Sequence, residues 1–364
     1  MRNTRSSIFL IVSILLGIGI VMIYSASAIY AYGNMGDSLY FLKRHLLYLV
    51  IGLVMMIITM SVDIETFRKL ARPVILFSII MLVLVLIPHI GRETSGARRW
   101  FRVGPINFQP SEFAKIAMIL YMADFISRKE KGIKNFIYGY LPAMMVLGVM
   151  AGLVLIEPDL GTAITISLIT VIMLFCGGVK VFHILISLLA SLPALYLLLF
   201  RVPYRRKRIM MFLNPWADKR GAGFQIIQSF IALGSGGLFG VGLGQSKQKL
   251  FYLPASHTDF IFSIIGEELG FIGSLAIVIL FGLFVWEGMK VVFKAYGTFE
   301  RTLCLGIVSL IALEAIINIG VTAGALPTKG LPLPFISYGG SGLIFHLAAV
   351  GLLLNVAKTC ETYR

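Results

Sequence analysis

Residues Asp259 to Lys290, DFIFSIIGEELGFIGSLAIVILFGLFVWEGMK, decide the fold. The run stays apolar well beyond the about 20 residues a helix needs to cross a bilayer. Its charges are Asp259 at the entrance, Glu267 and Glu268 two turns in, and Glu287 and Lys290 at the far end. A carboxylate at the mouth of a membrane helix is costly to keep, so Asp259 is the first candidate for a reactive residue. The preceding residues Gly240 to Thr258, GVGLGQSKQKLFYLPASHT, differ in kind. They hold a Gly-rich turn, the cations Lys247 and Lys249, and His257 beside the aspartate.

The rest of the chain agrees with a membrane span. Of 364 residues, 58% are hydrophobic and 13% charged. A soluble chain carries about a quarter charged residues, and this one has too little polar surface to cover a water-soluble globule. The fold class is an all-α polytopic membrane protein, read as a single membrane domain over residues 1–364. Apolar runs at Ile8–Tyr30, His45–Val62, Pro73–Ile90, Pro110–Ser127, Tyr138–Ile156, Leu160–Gly177, Val179–Phe200, Asp259–Lys290, Arg301–Ala325 and Gly340–Ala357 predict about ten transmembrane helices. Residues 201–258 form a long loop between the seventh and eighth. Ala26-Ser27-Ala28 imitates a signal-peptidase site, but the first run is long for a signal peptide and is read as a retained helix.

Ten helices place both termini on one side. With the N-terminus inside, Lys and Arg are nearly balanced, but nine of the outside cations lie in residues 201–258. Long loops vote weakly on orientation, so cytoplasmic N- and C-termini and an extracytoplasmic 201–258 loop are expected. Cys176, Cys304 and Cys360 then fall near cytoplasmic helix ends and need no disulfide.

The outer loops are therefore unusually basic. Arg92, Arg98, Arg99 and Arg102 share one, and Arg201, Arg205, Arg206, Lys207 and Arg208 another. Two explanations stand side by side: attraction to anionic membrane lipids, or recognition of a phosphate-bearing substrate. Nucleic acid is a poor partner, because the cations flank spans and no nucleic-acid module is visible. Within 201–258, Phe224 to Leu233 has helical apolar spacing and predicts a short interfacial helix. The glycines from Gly234 to Gly244 allow tight turns, but their spacing is not that of a nucleotide-binding loop.

Each candidate has a plainer alternative. Thr258 or Asp259 can simply cap the helix that starts here, and His257 is a competing base because its ordinary pKa lies nearer neutrality. Glu267 and Glu268 stand two turns deeper and are weaker candidates. Glu112 and Lys115 are spaced i, i+3, so they can pair structurally or line the cavity of Asp259. Glu314 and Asn318 share a helix face and suit interhelical hydrogen bonds. Leu326 to Gly342, LPTKGLPLPFISYGGSG, is irregular beside a helix. Such backbone survives at membrane depth only against protein or a wet cavity, which would bring Lys329 near that cavity.

Several stretches together carry a resemblance. They are Tyr24-Ser25-Ala26-Ser27, Gly96-Ala97-Arg98-Arg99-Trp100, Gln109-Pro110-Ser111-Glu112-Phe113-Ala114-Lys115 and Glu157-Pro158-Asp159-Leu160-Gly161-Thr162. They continue with Leu213-Asn214-Pro215-Trp216, Gly223-Phe224-Gln225, Thr258-Asp259-Phe260-Ile261-Phe262, Gly266-Glu267-Glu268-Leu269-Gly270 and Pro334-Phe335-Ile336-Ser337-Tyr338-Gly339-Gly340-Ser341. In this order they resemble the SEDS family (shape, elongation, division and sporulation), over nearly the whole chain. Residues 214–228 and 245–252 look more like its division and sporulation branch than its elongation branch. One departure is Gly342, where the family usually has Ser or Ala.

The resemblance implies a peptidoglycan glycosyltransferase polymerising lipid II, a disaccharide-pentapeptide on undecaprenyl pyrophosphate, at the outer face of the membrane. It maps the essential aspartate onto Asp259 and a supporting pair onto Glu112 and Lys115. It implies a class B penicillin-binding protein as partner, with other division proteins. On this basis Asp259 is the expected base. Arg98, Arg102, Lys247 and Lys329, with Ser337, are expected on the substrate, the cations meeting the pyrophosphate. A divalent cation, Mg or Mn, stands as an open alternative for part of that load, although the sequence shows no metal-ligand cluster. A lipid II flippase and a non-catalytic division scaffold are the rival functions.

Overall fold

The computed structural model describes residues 2–94, 97–104, 106–219, 221, 223–250 and 252–362. Gly96 and Ala222, within stretches singled out above, and Arg220 and Arg364, counted among the charges, lie outside the described residues. Twelve helices are present among the described residues. They are α1 (Arg2–Met35), α2 (Tyr40–Ser61), α3 (Ile64–Leu86), α4 (Pro110–Arg128), α5 (Leu141–Ile156), α6 (Leu160–Cys176), α7 (Val181–Phe200), α8 (Pro203–Leu213), α9 (Phe224–Ser235), α10 (Ile261–Lys294), α11 (Thr298–Thr322) and α12 (Ser341–Thr362). The chain is a polytopic helical membrane protein.

Eight helices among the described residues are long and apolar enough to cross a membrane: α1, α2, α3, α5 with the π-helical turn Phe136–Tyr140 before it, α7, α10, α11 and α12. The expected ten require α4 and α6 as well. At about 1.5 Å per residue these reach about 28 and 26 Å, close to the about 30 Å of a hydrocarbon core. Helix α4 carries Glu112, Lys115, Asp124 and Arg128, which is why its apolar signal is weak. It is nonetheless almost wholly buried, with 15 buried residues along its length. A helix surrounded by protein meets its polar needs from neighbouring helices rather than lipid. Helices α11 and α12 pack in the same interior, whereas α7 buries only His183 and Ile184 and stands at the edge.

One departure from the all-helical expectation lies at residues 92–108. Strands β1 (Arg92–Thr94), β2 (Ala97–Val103) and β3 (Ile106–Phe108) form an antiparallel sheet in the order β1-β2-β3. A second departure is α8, a helix not anticipated, which follows α7 within the long loop. The expected interfacial helix is α9, tied down where the Ser229 hydroxyl donates to the Thr322 carbonyl at 2.7 Å.

Helix α10 is broken at Gly270, whose φ of 70° and ψ of −166° suit glycine alone. The Gly-rich loop enters that break. Phe271 and Ile272 amides donate to Gly237 and Leu238 carbonyls, and Val241 and Gly242 amides donate to Glu267 and Glu268 carbonyls. A Cβ on Gly240 would meet the Glu268 carbonyl oxygen at 2.1 Å, so the close approach requires glycine. The carboxylates of Glu267 and Glu268 finish the clamp. Glu267 accepts from the Lys247 amide at 2.9 Å and from the Ser246 hydroxyl. Glu268 accepts from Lys249 at 2.8 Å and from Ser25 of α1 at 2.7 Å. These two acids secure the backbone that leads into Asp259.

Candidate active site

Asp259 stands just before α10, in a turn where the Thr258 and Phe260 amides both donate to the Ala255 carbonyl. The helix cap is Phe260, and no side chain bonds the helix start. Capping therefore does not account for Asp259. Three contacts from distant elements hold its backbone. Asn318 of α11 donates to the carbonyls of Asp259 (2.9 Å) and Leu331 (2.7 Å). The Ser337 hydroxyl donates to the Thr258 carbonyl at 2.7 Å, and the Tyr338 amide to the His257 carbonyl at 3.0 Å. The irregular segment after α11 is thus a support laid against Asp259, with its polar backbone satisfied by protein as membrane depth demands.

The carboxylate faces a cavity of about 500 Å³. Its acids are Asp259, Asp159 and Glu112; its cations are Arg44, Arg92 and Arg99; Tyr40, Tyr48, Trp100 and Tyr338 supply aromatic walls. Among the described residues no side chain hydrogen-bonds the Asp259 carboxylate. Burial pushes its carboxyl up to about 6, against the pull of Arg208 and with help from Asp159. Asp159 itself is satisfied: the Thr162 amide (3.1 Å), the Thr162 hydroxyl (3.0 Å) and Gln109 (3.4 Å) donate to it. Gly330 faces Asp259 so closely that a Cβ there would stand 3.1 Å from the carboxylate.

Glu112 forms part of the cavity wall, and Lys115 lies one turn deeper. The two pair at 2.8 Å, both buried. Lys115 also bonds Glu314 of α11, which in turn bonds His346 of α12 at 2.5 Å. Glu112, Glu314 and His346 are the one three-residue group with metal-ligand spacing among the described residues. The Lys115 ammonium already serves both carboxylates there, so these side chains do not fit a divalent cation. Gly342, the departure from the family pattern, leaves room for Glu112: a Cβ would stand 3.0 Å from its carboxylate.

The other expected residues lie elsewhere. His257 is buried among Phe41, Tyr30 and Tyr338, with ring centroids 4.4, 5.7 and 6.0 Å away, and burial pulls its imidazole down to about 4. That environment makes it a poor base. Arg98 pairs with Glu93 at 3.4 Å, Arg102 is exposed, and Lys247 points outward while its amide holds Glu267. Lys329 is half-buried, and burial lowers its ammonium. None of these four lines the cavity, and Ser337 acts through backbone. Arg99, between Arg98 and Arg102, does line it, together with Trp100. Its guanidinium is fixed by the carbonyls of Glu157 (2.8 Å) and Pro158 (2.6 Å). Arg92 and Arg99 belong to the basic loop considered for a phosphate-bearing substrate, whereas Arg44 and Asp159 are site residues that carry no functional signal in the sequence.

A sequence model described as "cell cycle protein", for FtsW, RodA and SpoVE, matches residues 5–362. The chain belongs to the FtsW/RodA/SpoVE family. A probable peptidoglycan glycosyltransferase FtsW of Trichlorobacter lovleyi is 50% identical, over 96% of this chain and 92% of that one. Stage V sporulation protein E of Bacillus subtilis is 45% identical over 98% of both. Among solved structures, a chain of a peptidoglycan synthase complex that coordinates polymerization and crosslinking superposes with a TM-score of 0.80 at 29% identity, covering 97% of either chain. The crystal structure of the Thermus thermophilus rod shape determining protein RodA gives 0.71 at 28% identity, covering 96% of this chain and 95% of that one. The resemblance to the division and sporulation branch read from residues 214–228 and 245–252 accords with the FtsW and stage V names of these relatives.

Proposed function

We propose that this family member is a peptidoglycan glycosyltransferase that polymerises lipid II, with Asp259 as its general base. The observation that carries the assignment of Asp259 is its carboxylate: it has no hydrogen-bond partner among the described residues and opens on a cavity with three arginines. A base must be free to take a proton and have a pKa near the working pH, and burial supplies the second condition. Asp259 removes the proton from the attacking sugar hydroxyl. That oxygen bonds to the anomeric carbon of the donor as the bond to pyrophosphate breaks. The departing oxygens gain charge, which Arg44, Arg92 and Arg99 are placed to meet. Arg99 is braced by two carbonyls and costs little reorganisation. The pyrophosphate role considered for Arg98, Arg102, Lys247 and Lys329 passes to these arginines.

The topology that accompanies this mechanism has ten spans, cytoplasmic termini and the cavity on the outer side. The partner is a class B penicillin-binding protein, whose transpeptidase crosslinks the strands, together with other division proteins. A flippase needs polar lining through the full membrane. Below the cavity, Glu112, Lys115, Glu314 and His346 are bonded to one another and buried, which favours a closed floor. A scaffold leaves the unpartnered Asp259 without a role. The test is glycan synthesis from lipid II by the purified full chain with its transpeptidase partner. Strands should form without nucleotide or ion gradient. Lipid II crossing sealed vesicles with no strands formed would favour transport instead.

A further inference from the structure

Five cations crowd the eight residues Arg201 to Arg208: Arg201, Arg205, Arg206, Lys207 and Arg208. They begin where the span α7 ends at Phe200, so they lie at a membrane surface. The loop they open closes at Asp259, which puts them on the same surface as the cavity. Helix α8 buries none of its residues. Its first half is basic, and Met210 and Leu213 of its second half are exposed, with Tyr204 and Trp216 beside them. A short helix with cations at one part and exposed apolar and aromatic side chains at another lies in the lipid interface.

Three of the cations are engaged. Arg205 donates to the Leu198 carbonyl, and Arg208 donates to the Thr328 carbonyl and stacks over Tyr204. Lys207 pairs with Asp218 at 3.1 Å. Arg201 and Arg206 are exposed and have no acidic partner among the described residues. Pro203, Arg206, Lys207 and Met210 follow i, i+3, i+4, i+7 spacing and share one face of α8. With Phe200 and Arg201 they wall a depression of about 330 Å³. Beside it runs α7, whose apolar surface is almost entirely uncovered.

We propose that this depression binds the phosphate of an anionic glycerophospholipid from the surrounding leaflet. Arg201 and Arg206 take the phosphate oxygens, as guanidinium forks suit, and Lys207, paired with Asp218, forms part of the wall. Phe200 and α7 accept the acyl chains. The site selects by net charge: phosphatidylcholine brings a quaternary ammonium beside the two unpaired arginines, whereas phosphatidylglycerol does not. Bound lipid there would fix α7 and α8, the part of the bundle least held by protein.

The test is binding of fluorescent phosphatidylglycerol and phosphatidylcholine of the same chain length to the full protein in detergent micelles. Phosphatidylglycerol should bind at least about tenfold more tightly. The double variant Arg201→Gln, Arg206→Gln should weaken it by about 30-fold, the worth of two cations at an anionic surface, and leave phosphatidylcholine unchanged. Arg201→Lys with Arg206→Lys should keep the preference, since net charge is kept. Millimolar inorganic phosphate should not displace the lipid. Equal affinity for the two lipids, an unchanged preference in the double Gln variant, or full displacement by phosphate would overturn the proposal.

Discussion

Glu314 is an acid buried inside the bundle and Asp259 an acid half-buried at the cavity, and they are treated in opposite ways. Glu314 accepts from Lys115 and His346, and Lys115 is shared with Glu112. Every charge there has a counter-charge within bonding distance, as burial in low dielectric demands. Asp259 and the two residues before it have their backbone held at three points, while its carboxylate has no hydrogen-bond partner among the described residues. The first arrangement fixes helices α4, α11 and α12 to one another. The second fixes a position and leaves a reactive atom free, which is what a catalytic group needs. Glu112 joins the two regions, since it pairs with Lys115 and also faces the cavity.

The contrast is broken most directly by exchanging roles. Asp259→Asn removes the base without changing shape and loses no hydrogen bond from its side chain. Polymerisation should fall by about 10²–10⁴-fold, while the unfolding midpoint and lipid II binding stay near those of the unaltered protein. If that variant makes glycan at a near-normal rate, Asp259 is not the base. Lys115→Met should act the other way. It leaves two buried carboxylates facing each other and should cost about 3–5 kcal/mol of stability, read from denaturant unfolding of the purified protein. Adding Glu112→Gln should recover part of that loss. Equal stability of Lys115→Met and the unaltered chain would show that the cluster does not hold the bundle. Arg99→Gln sharpens the comparison at the cavity wall. It removes a charge-assisted donor worth about 1.5–3 kcal/mol, so polymerisation should fall by about 10- to 100-fold with pyrophosphate affinity falling in parallel. A loss in stability alone would assign Arg99 to holding the Glu157 turn.

Much of this was legible in residues and spacing. Eight of the ten apolar runs correspond to helices long and apolar enough to cross a membrane, because lipid imposes a length and a composition that few other environments require. Glu112 and Lys115 pair as their i, i+3 spacing predicts, and the proline- and glycine-rich Leu326–Gly342 segment is irregular as expected. What escaped depends on contacts between distant residues. Glu314 meets Lys115 and His346 across three helices, and Glu267 and Glu268 meet a loop about 20 residues earlier. Local spacing says nothing about either. Loop charge alone selects Arg98 and Arg102 for the pyrophosphate and passes over Arg99, which lines the cavity. Which of these cations reaches the cavity is set by how the sheet packs against the helices, and a three-residue strand such as β1 leaves little periodic signal. The break at Gly270 was hidden within a continuous apolar run.

The central claim is that Asp259 works as a carboxylate base held near neutrality by its surroundings, and the pH dependence of polymerisation tests it most directly. Its carboxyl lies at about 6, above the ordinary 3.8. The working form is the deprotonated one, so the rate should be full above pH 7 and fall about tenfold per pH unit below pH 6. The folded protein holds this proton more tightly than the unfolded chain does. Protonation of Asp259 therefore adds stability between pH 6 and 4, so this titration does not itself unfold the protein, and the unfolding midpoint measured across the range separates the two effects. In Asp259→Asn the residual rate should be flat across the same range. An acid limb that persists in Asp259→Asn, or a flat profile between pH 5 and 8 in the unaltered protein, would contradict the account.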